Sequence, residues 1–216
     1  MPIITKLSVQ KNKNRVNIFL DGKFSFGLSL NEVVKSGLAV GQSFSQKQLE
    51  LFLFKSILEK FYHKTINFLS FRPRSKKEIV DYLKKNYYKL PAITPKLAEK
   101  LNKNILEKLK KQNLIGDLEF AKWWVEQRLT FNPRGLNLLR AELYKKGVKR
   151  EIVEEVLKSI DRDKQIVLAQ KIINKKIKLY KNLKNIKLKQ KMYSFLARRG
   201  FDYEVIKTVI DEKGIK

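Results

Sequence analysis

Cysteine is absent from the 216-residue chain, which removes disulfides, thiolate nucleophiles and sulfur ligands and fits a reducing interior. Histidine occurs once, at His63 in Phe61-Tyr-His-Lys64. A lone imidazole has no second histidine with which to build a zinc site, so His63 reads as a packed or surface residue. Acids are scarce, 21 against 48 Lys and Arg. Glu151, Glu154 and Glu155 stand beside Lys149 and Arg150, and read as a solvated helix face with ion pairs. No glycine-rich loop resembles a phosphate cradle, Gly135 being isolated. With no catalytic constellation, the expectation is a non-enzyme without metal or cofactor. No apolar run is long enough to span a bilayer, and Met1-Pro-Ile-Ile-Thr-Lys6 has no apolar signal region. A soluble, cytoplasmic monomer without membrane contact is expected.

What the chain does have is positive charge, formally +27. Lys164 through Phe201 holds ten Lys and two Arg without one Asp or Glu. Such a surface repels itself unless an anion lies against it, and nucleic acid is the commonest such partner. An AT-rich genome would also load surface positions with lysine, and composition alone does not separate the two.

It also has an internal echo. Leu143-Tyr-Lys-Lys-Gly-Val148 returns fifty-three residues later as Leu196-Ala-Arg-Arg-Gly-Phe201. At the same offset Leu139 matches Met192, Ile152 matches Val205, Val153 matches Ile206, Val156 matches Val209 and Leu157 matches Ile210. Gly147 and Gly200 are expected to be left-handed residues ending a helix, with Val148 and Phe201 folding back onto Leu143 and Leu196. Each apolar residue can then staple to Val153 or Ile206 in the next helix.

The N-terminal part differs from the rest. Arg15-Val-Asn-Ile-Phe-Leu20, Asp21-Gly22 and Lys23-Phe-Ser-Phe-Gly-Leu28 form a strong hairpin signal. Ser29 and Asn31 can cap a short helix ended by Gly37, and Leu38–Phe44 reads as a short strand or loop. From Ser45 onward everything reads as helix. A long helix is expected over 46–70, broken by Pro73. Ser75-Lys-Lys-Glu78 is a capping box, Thr94-Pro95 opens the next helix, and Asp117 is expected to cap the one after it. Asn132-Pro133 opens a further helix, and Asp202 caps the last. Counting by threes gives a β-rich module over residues 1–45 and three-helix repeats over 46–115, 116–160 and 161–216. The first repeat carries Asn86-Tyr-Tyr-Lys-Leu-Pro91 where the others have a tight glycine turn. The fold class is therefore mainly α, an elongated and curved tandem array.

Trp123-Trp124 point in different directions on a helix, so one is expected in the core and the other partly exposed. The exposed ring could pack on a neighbouring repeat, stack on a base or anchor a partner. Lys145, Lys146, Arg198 and Arg199 lie in last turns, where the helix dipole favours them. Arg72, Arg74 and Arg134 lie near helix starts, where positive charge is mildly unfavourable, which makes them the better candidates for anion contact.

In their order these elements resemble the RecX family of bacterial recombination regulators. Arg72-Pro-Arg-Ser-Lys-Lys-Glu-Ile79 with Leu83 is similar to a first-repeat signature. Leu114-Ile-Gly-Asp117, Phe120-Ala121, Trp124-Val125 and Arg128 resemble the central one. Arg134-Gly135, Leu143 and Lys146-Gly-Val148 resemble the second-repeat turn. Lys191, Phe195-Leu196, Arg198-Arg-Gly-Phe201 and Ile206 resemble the C-terminal signature. Val16 to Gly22 with Phe26-Gly27 resembles the N-terminal extension of longer members. The chain departs from the pattern at Asp117-Leu118, where two consecutive acids are usual. The resemblance implies a non-enzymatic modulator of RecA that lies in the groove of the RecA–single-stranded DNA filament. There it would restrain ATPase, strand exchange and co-protease activity in DNA repair, homologous recombination and the SOS response. It would bind nucleic acid alone only weakly and non-specifically. On that reading Arg72, Arg74, Arg128, Arg134, Arg140, Arg198 and Arg199 are the expected filament or DNA contacts, with bracing between repeats as the other role for Arg128. The alternatives are a direct DNA-binding protein built from helix-turn-helix-like units, and an adaptor for some other protein.

Overall fold

The structure, a computed structural model, describes residues 1–11, 13–87, 90, 93–180 and 185–214. Asn86 and Tyr87 continue a helix, whereas Tyr88, Lys89 and Pro91 of the segment inserted in the first repeat lie outside the described residues. The chain forms two compact units, Met1–Arg72 with Leu83–Lys108, and Pro73–Tyr82 with Leu109–Lys216.

The first unit holds the N-terminal module. Strands β1 (Ile4–Val9), β2 (Arg15–Leu20) and β3 (Lys23–Ser29) form an antiparallel sheet in that order. Strict alternation buries Val16, Ile18 and Leu20 of β2, and pairs Ile18 with Phe26 and Val16 with Leu28. Asp21 and Gly22 both have positive φ (47° and 78°), as a two-residue hairpin turn of matching twist requires. β1 has no counterpart in the sequence reading, because only Ile4 of its six residues is buried and its alternation is weak. Leu38–Phe44 is a loop whose Ser43 makes one isolated bridge to Ile3.

The sheet needs a lid, since a hairpin alone is marginal in water. Helices α1 (Leu30–Lys35) and α2 (Gln46–Ser70) supply it. Phe52 of α2 stacks on Phe26 with ring centroids 6.4 Å apart and meets Phe44 at 5.3 Å. Glu59 of α2 accepts hydrogen bonds from the backbone N and hydroxyl of Ser29 (2.8 and 2.7 Å), fixing the end of β3. Helix α3 spans Lys76–Tyr87 and α4 spans Pro95–Lys111, with Leu83, Leu101 and Ile105 fully buried in this unit.

The second unit contains α5 (Asp117–Phe131), α6 (Leu136–Lys145) and α7 (Arg150–Leu157). After them come α8 (Arg162–Ile177), a 3-10 turn at Lys178–Tyr180, α9 (Asn185–Arg198) and α10 (Tyr203–Glu212). Residues matched at the fifty-three-residue offset occupy equivalent core places: Leu139, Leu143, Val148 and Val153 in one cluster, Met192, Leu196, Phe201 and Ile206 in the other. Both turns close as expected. Gly147 (φ 76°) donates to Tyr144 O at 2.9 Å and Val148 to Leu143 O at 3.1 Å. Gly200 (φ 84°) donates to Ala197 O at 2.9 Å and Phe201 to Leu196 O at 3.3 Å. This is the six-to-one, five-to-two pattern of a Schellman stop.

Each turn is also a joint between helices distant in sequence. The first turn of α6 presents three orphan backbone donors. Gly135 N donates to Arg199 O (2.9 Å) and Asn137 N to Gly200 O (3.1 Å), and the Gln165 side chain accepts from Leu136 N (3.2 Å). α6 thus docks its positive end on the carbonyl end of α9, an alignment the helix dipoles favour. The approach is close because both sides are glycine: a Cβ on Gly135 would lie 2.2 Å from the Gly200 carbonyl, and one on Gly200 would lie 2.3 Å from Leu138 Cβ.

An equivalent joint forms one repeat earlier. Ser75 Oγ donates to Lys146 O at 2.7 Å, Lys77 Nζ donates to Lys145 O at 3.0 Å, and Lys146 pairs with Glu78. The expected Ser75–Glu78 capping box is present on α3. Asp117 is a correction. It is the first residue of α5 and makes no cap there. Its buried carboxylate accepts from Lys76 N at 3.1 Å, completing the N-terminus of α3 instead.

Candidate nucleic-acid and partner interface

The acid-free stretch folds as α8, the 3-10 turn and α9, for a simple reason. Ala169 and Ile173 on α8, and Met192 and Leu196 on α9, recur at four-residue spacing and fill the core. The cations between them are left on the outer side: Lys171, Lys175, Lys187, Lys189, Lys191 and Arg198 are all exposed. Where the C-terminal end of α8 meets α9, Lys176, Lys191 and Arg198 line a concavity of about 320 Å³ together with Tyr180 and Phe195. Gln190 and Ser194 complete its polar lining. Lys176 Nζ lies 5.5 Å from the centroids of both rings, and Lys191 Nζ lies 5.2 Å from that of Tyr180. Among the described residues none of the three cations has a carboxylate within ion-pair distance.

The arginines singled out from sequence divide by what they touch. Arg128 Nε donates to Glu142 Oε2 at 2.7 Å, and its guanidinium lies over the Trp124 ring at 4.3 Å. Glu142 also accepts from Trp124 Nε1 at 2.8 Å, so Arg128 braces the second repeat. Arg140 grips Glu154 through two bonds (2.7 and 3.1 Å), and these hold its guanidinium above its usual value. Arg199 Nη1 donates to Asn132 Oδ1 at 2.6 Å, and the guanidinium covers Phe195 at 5.2 Å. Burial first, and the neighbouring charge of Arg134 second, push Arg199 below its ordinary value. Arg134 Nε lies 4.0 Å from Glu142 Oε1, too far for a hydrogen bond. Arg134 and Arg199 are thus brought together at the α6–α9 joint, while Arg198 faces the concavity. Arg72 and Arg74 are half-buried on either side of Pro73 and belong to different compact units.

Trp123 and Trp124 are both partly buried against Phe120, rather than one inside and one outside. Lys146 Nζ also lies over the Trp124 ring, 4.7 Å from its centroid, so two cations of its own fold contact this indole. Two features escaped the sequence reading. One is the grouping of Lys176, Tyr180 and Lys191, signalled only by aromatics interleaved with an acid-free run. The other is the pair of exposed phenylalanines, Phe71 and Phe131, in the matched segments Phe71-Arg-Pro-Arg74 and Phe131-Asn-Pro-Arg134.

His63 is exposed, its ring edge-on to Tyr62. Among the described residues no three His, Cys, Asp or Glu side chains group as metal ligands, and no helix is long and apolar enough to cross a membrane.

Comparison with known proteins agrees with this architecture. Residues 2–45 match the regulatory protein RecX N-terminal domain, 117–157 the second three-helix domain of RecX, and 163–210 the third. A regulatory protein RecX from Bacillus pumilus is 34% identical over 98% of this chain and 78% of its own length. One from Clostridium botulinum is 32% identical over 98% of this chain and 96% of its own. A crystal structure of regulatory protein RecX superposes with a TM-score of 0.74 at 28% identity, covering 98% of this chain and all of that one. That of RecX from Lactobacillus salivarius gives 0.59 over 74% of this chain and 97% of its own, and at 24% identity it supports the fold. The repeats, their joints and the leading sheet therefore carry one conclusion: the chain belongs to the RecX family of regulatory proteins.

Proposed function

We propose that this protein binds the RecA–single-stranded DNA filament and restrains its ATPase, strand exchange and co-protease activities, acting without catalysis of its own. Family membership supplies the partner. The observation that carries the reading is electrostatic. In the second repeat Arg128 and Arg140 are neutralised internally by Glu142 and Glu154, whereas the third repeat leaves a run of cations without carboxylates. An uncompensated field of that kind favours a polyanion and falls off with salt. The half-buried Arg199, with no carboxylate in ion-pair distance among the described residues, adds to it at the α6–α9 joint.

The test is RecA's single-stranded-DNA-dependent ATPase with this protein titrated in at moderate salt. Hydrolysis should fall as the protein approaches stoichiometry with RecA, and an unchanged rate refutes the proposal. Naked DNA separates the direct DNA-binding alternative. Weak binding with a steep salt slope and no sequence preference is the expected phosphate contribution alone, whereas tight sequence-dependent binding without RecA would favour the alternative.

A further inference from the structure

We infer that the concavity between the end of α8 and α9 is a nucleotide subsite, taking a phosphodiester of single-stranded nucleic acid on Lys176, Lys191 and Arg198 with the adjoining base against Tyr180. The inference rests on the nucleic-acid half of the reading above and deepens it, because it gives the diffuse positive field one address.

Polar chemistry points to the ligand. Three side chains lining the concavity are cations that act only as donors, the ammonium groups of Lys176 and Lys191 and the guanidinium of Arg198. Ser194 and Gln190 add a hydroxyl and a carboxamide that can donate as well. No acidic residue occurs from Lys164 to Phe201, so nothing in this stretch competes for those donors. The guanidinium fork suits two oxygens of one phosphate, and the ammonium groups act as point charges on flexible stems.

Size and rings narrow it further. A volume of about 320 Å³ is at the small end for ligand sites, enough for one nucleotide-sized group. Tyr180 and Phe195 are only partly buried, and cations interleaved with aromatic rings are how sequence-tolerant single-strand binders hold backbone and base at once. Lys176 and Lys191 now rest against the Tyr180 ring. Their stems can carry the charge from ring to phosphate when a base arrives. An acidic peptide would use the cations and leave the ring without a role.

The test uses the full chain and a fluorescein-labelled oligothymidylate, read by anisotropy across a salt series. The pocket variant is Lys176→Gln/Lys191→Gln/Arg198→Gln. Its control is Lys122→Gln/Lys158→Gln/Lys207→Gln, which removes equal charge from exposed positions elsewhere in the same compact unit. Far-UV circular dichroism and the unfolding midpoint confirm that both fold. The pocket variant should lose about tenfold or more in affinity, and its slope of log affinity on log salt should flatten by about 0.7, the counterion release of one phosphate contact on a single strand. The control should change by clearly less in both. Tyr180→Leu should weaken oligothymidylate binding about fivefold or more while leaving an abasic oligonucleotide of the same length unaffected.

Equal losses in the two charge variants would overturn the subsite, as would equal effects of Tyr180→Leu on the two oligonucleotides. Displacement of the oligonucleotide by polyglutamate at matched charge concentration would assign the pocket to acidic protein instead. RecA ATPase on the same variants keeps the two proposals apart. Lost oligonucleotide binding with full ATPase inhibition leaves the subsite standing and moves the filament contact elsewhere. Wild-type protein that binds through the pocket yet leaves the ATPase untouched removes the filament reading alone.

Discussion

Replacing Gly135 with alanine adds one methyl group at a residue whose φ of −75° any amino acid tolerates. Backbone strain is therefore excluded, and at an open site such a change stabilises by about 0.4–1 kcal/mol through the unfolded chain. Here the methyl would sit 2.2 Å from the carbonyl carbon and oxygen of Gly200 and from Phe201 N. None of those atoms can swing aside, so the N-terminus of α6 must retreat from the turn. Retreat loses the Gly135–Arg199 and Asn137–Gly200 hydrogen bonds, about 1 kcal/mol net each. Overpacking adds about 1–3 kcal/mol, and alanine at an N-cap costs up to about 1 kcal/mol more than glycine. The expected loss is about 3–5 kcal/mol, a fall on the order of 10 °C in unfolding midpoint for a chain of this length.

Thermal unfolding by far-UV circular dichroism measures that total, and native-state hydrogen exchange at the Asn137 amide reads the joint locally. Gly37→Ala is the control. Its Cβ would meet nothing within 4 Å, and only its φ of 59° is at stake, at about 1–2 kcal/mol. Gly135→Ala no less stable than Gly37→Ala, with Asn137 equally protected from exchange, would refute the docked joint.

Arg128→Ala should lower stability by roughly 1.5–3 kcal/mol, because it strips a charged hydrogen bond from Glu142, while leaving oligonucleotide binding intact; Arg198→Ala should do the reverse, by urea unfolding and anisotropy. Tyr87→Phe should be neutral or stabilising by up to about 1 kcal/mol. Its hydroxyl is buried without a hydrogen-bond partner among the described residues, and burial pushes the phenol well above its ordinary value. Glu154 is held below the usual carboxylate range, chiefly by the Arg140 hydrogen bond. A depressed folded value means that the unfolded chain takes up protons first, so this stabilisation is complete above the unfolded carboxylate range and is lost as pH falls through the folded one. The midpoint difference between wild type and Glu154→Gln should therefore be flat near neutrality and vanish on acidification; a difference growing toward acid pH would contradict the sign.

Much of the fold was legible because its signals are local. The long helix α2, the Asp21-Gly22 hairpin, and the caps at Ser29, Ser75, Thr94 and Asp202 each depend on residues within a few positions of one another. The repeat gave the glycine turns, including the residues that close them. β1 escaped because its strand is mostly exposed and pairs through its backbone with β2. The candidate site was legible only as total charge: Glu142 holds Arg128 and Glu154 holds Arg140 while Arg198 faces outward, and no spacing rule says which arginine has a glutamate waiting.

The chain's own order of residues settled where the helices lie, most of the residues that face inward, and that a left-handed glycine ends α6 and α9; it misplaced the start of α6, which begins at Leu136 while Asn132 ends α5. Those outcomes follow from backbone geometry and periodicity over a turn or two. Tertiary structure alone decided that Asp117 serves α3 across forty-one residues, that Gly135 lets α6 dock on Arg199 and Gly200, and that Lys146 is captured by Glu78. Each joins groups that local pattern leaves indistinguishable, and each is fixed by the need to satisfy helix-end donors and acceptors once packing has removed water from them.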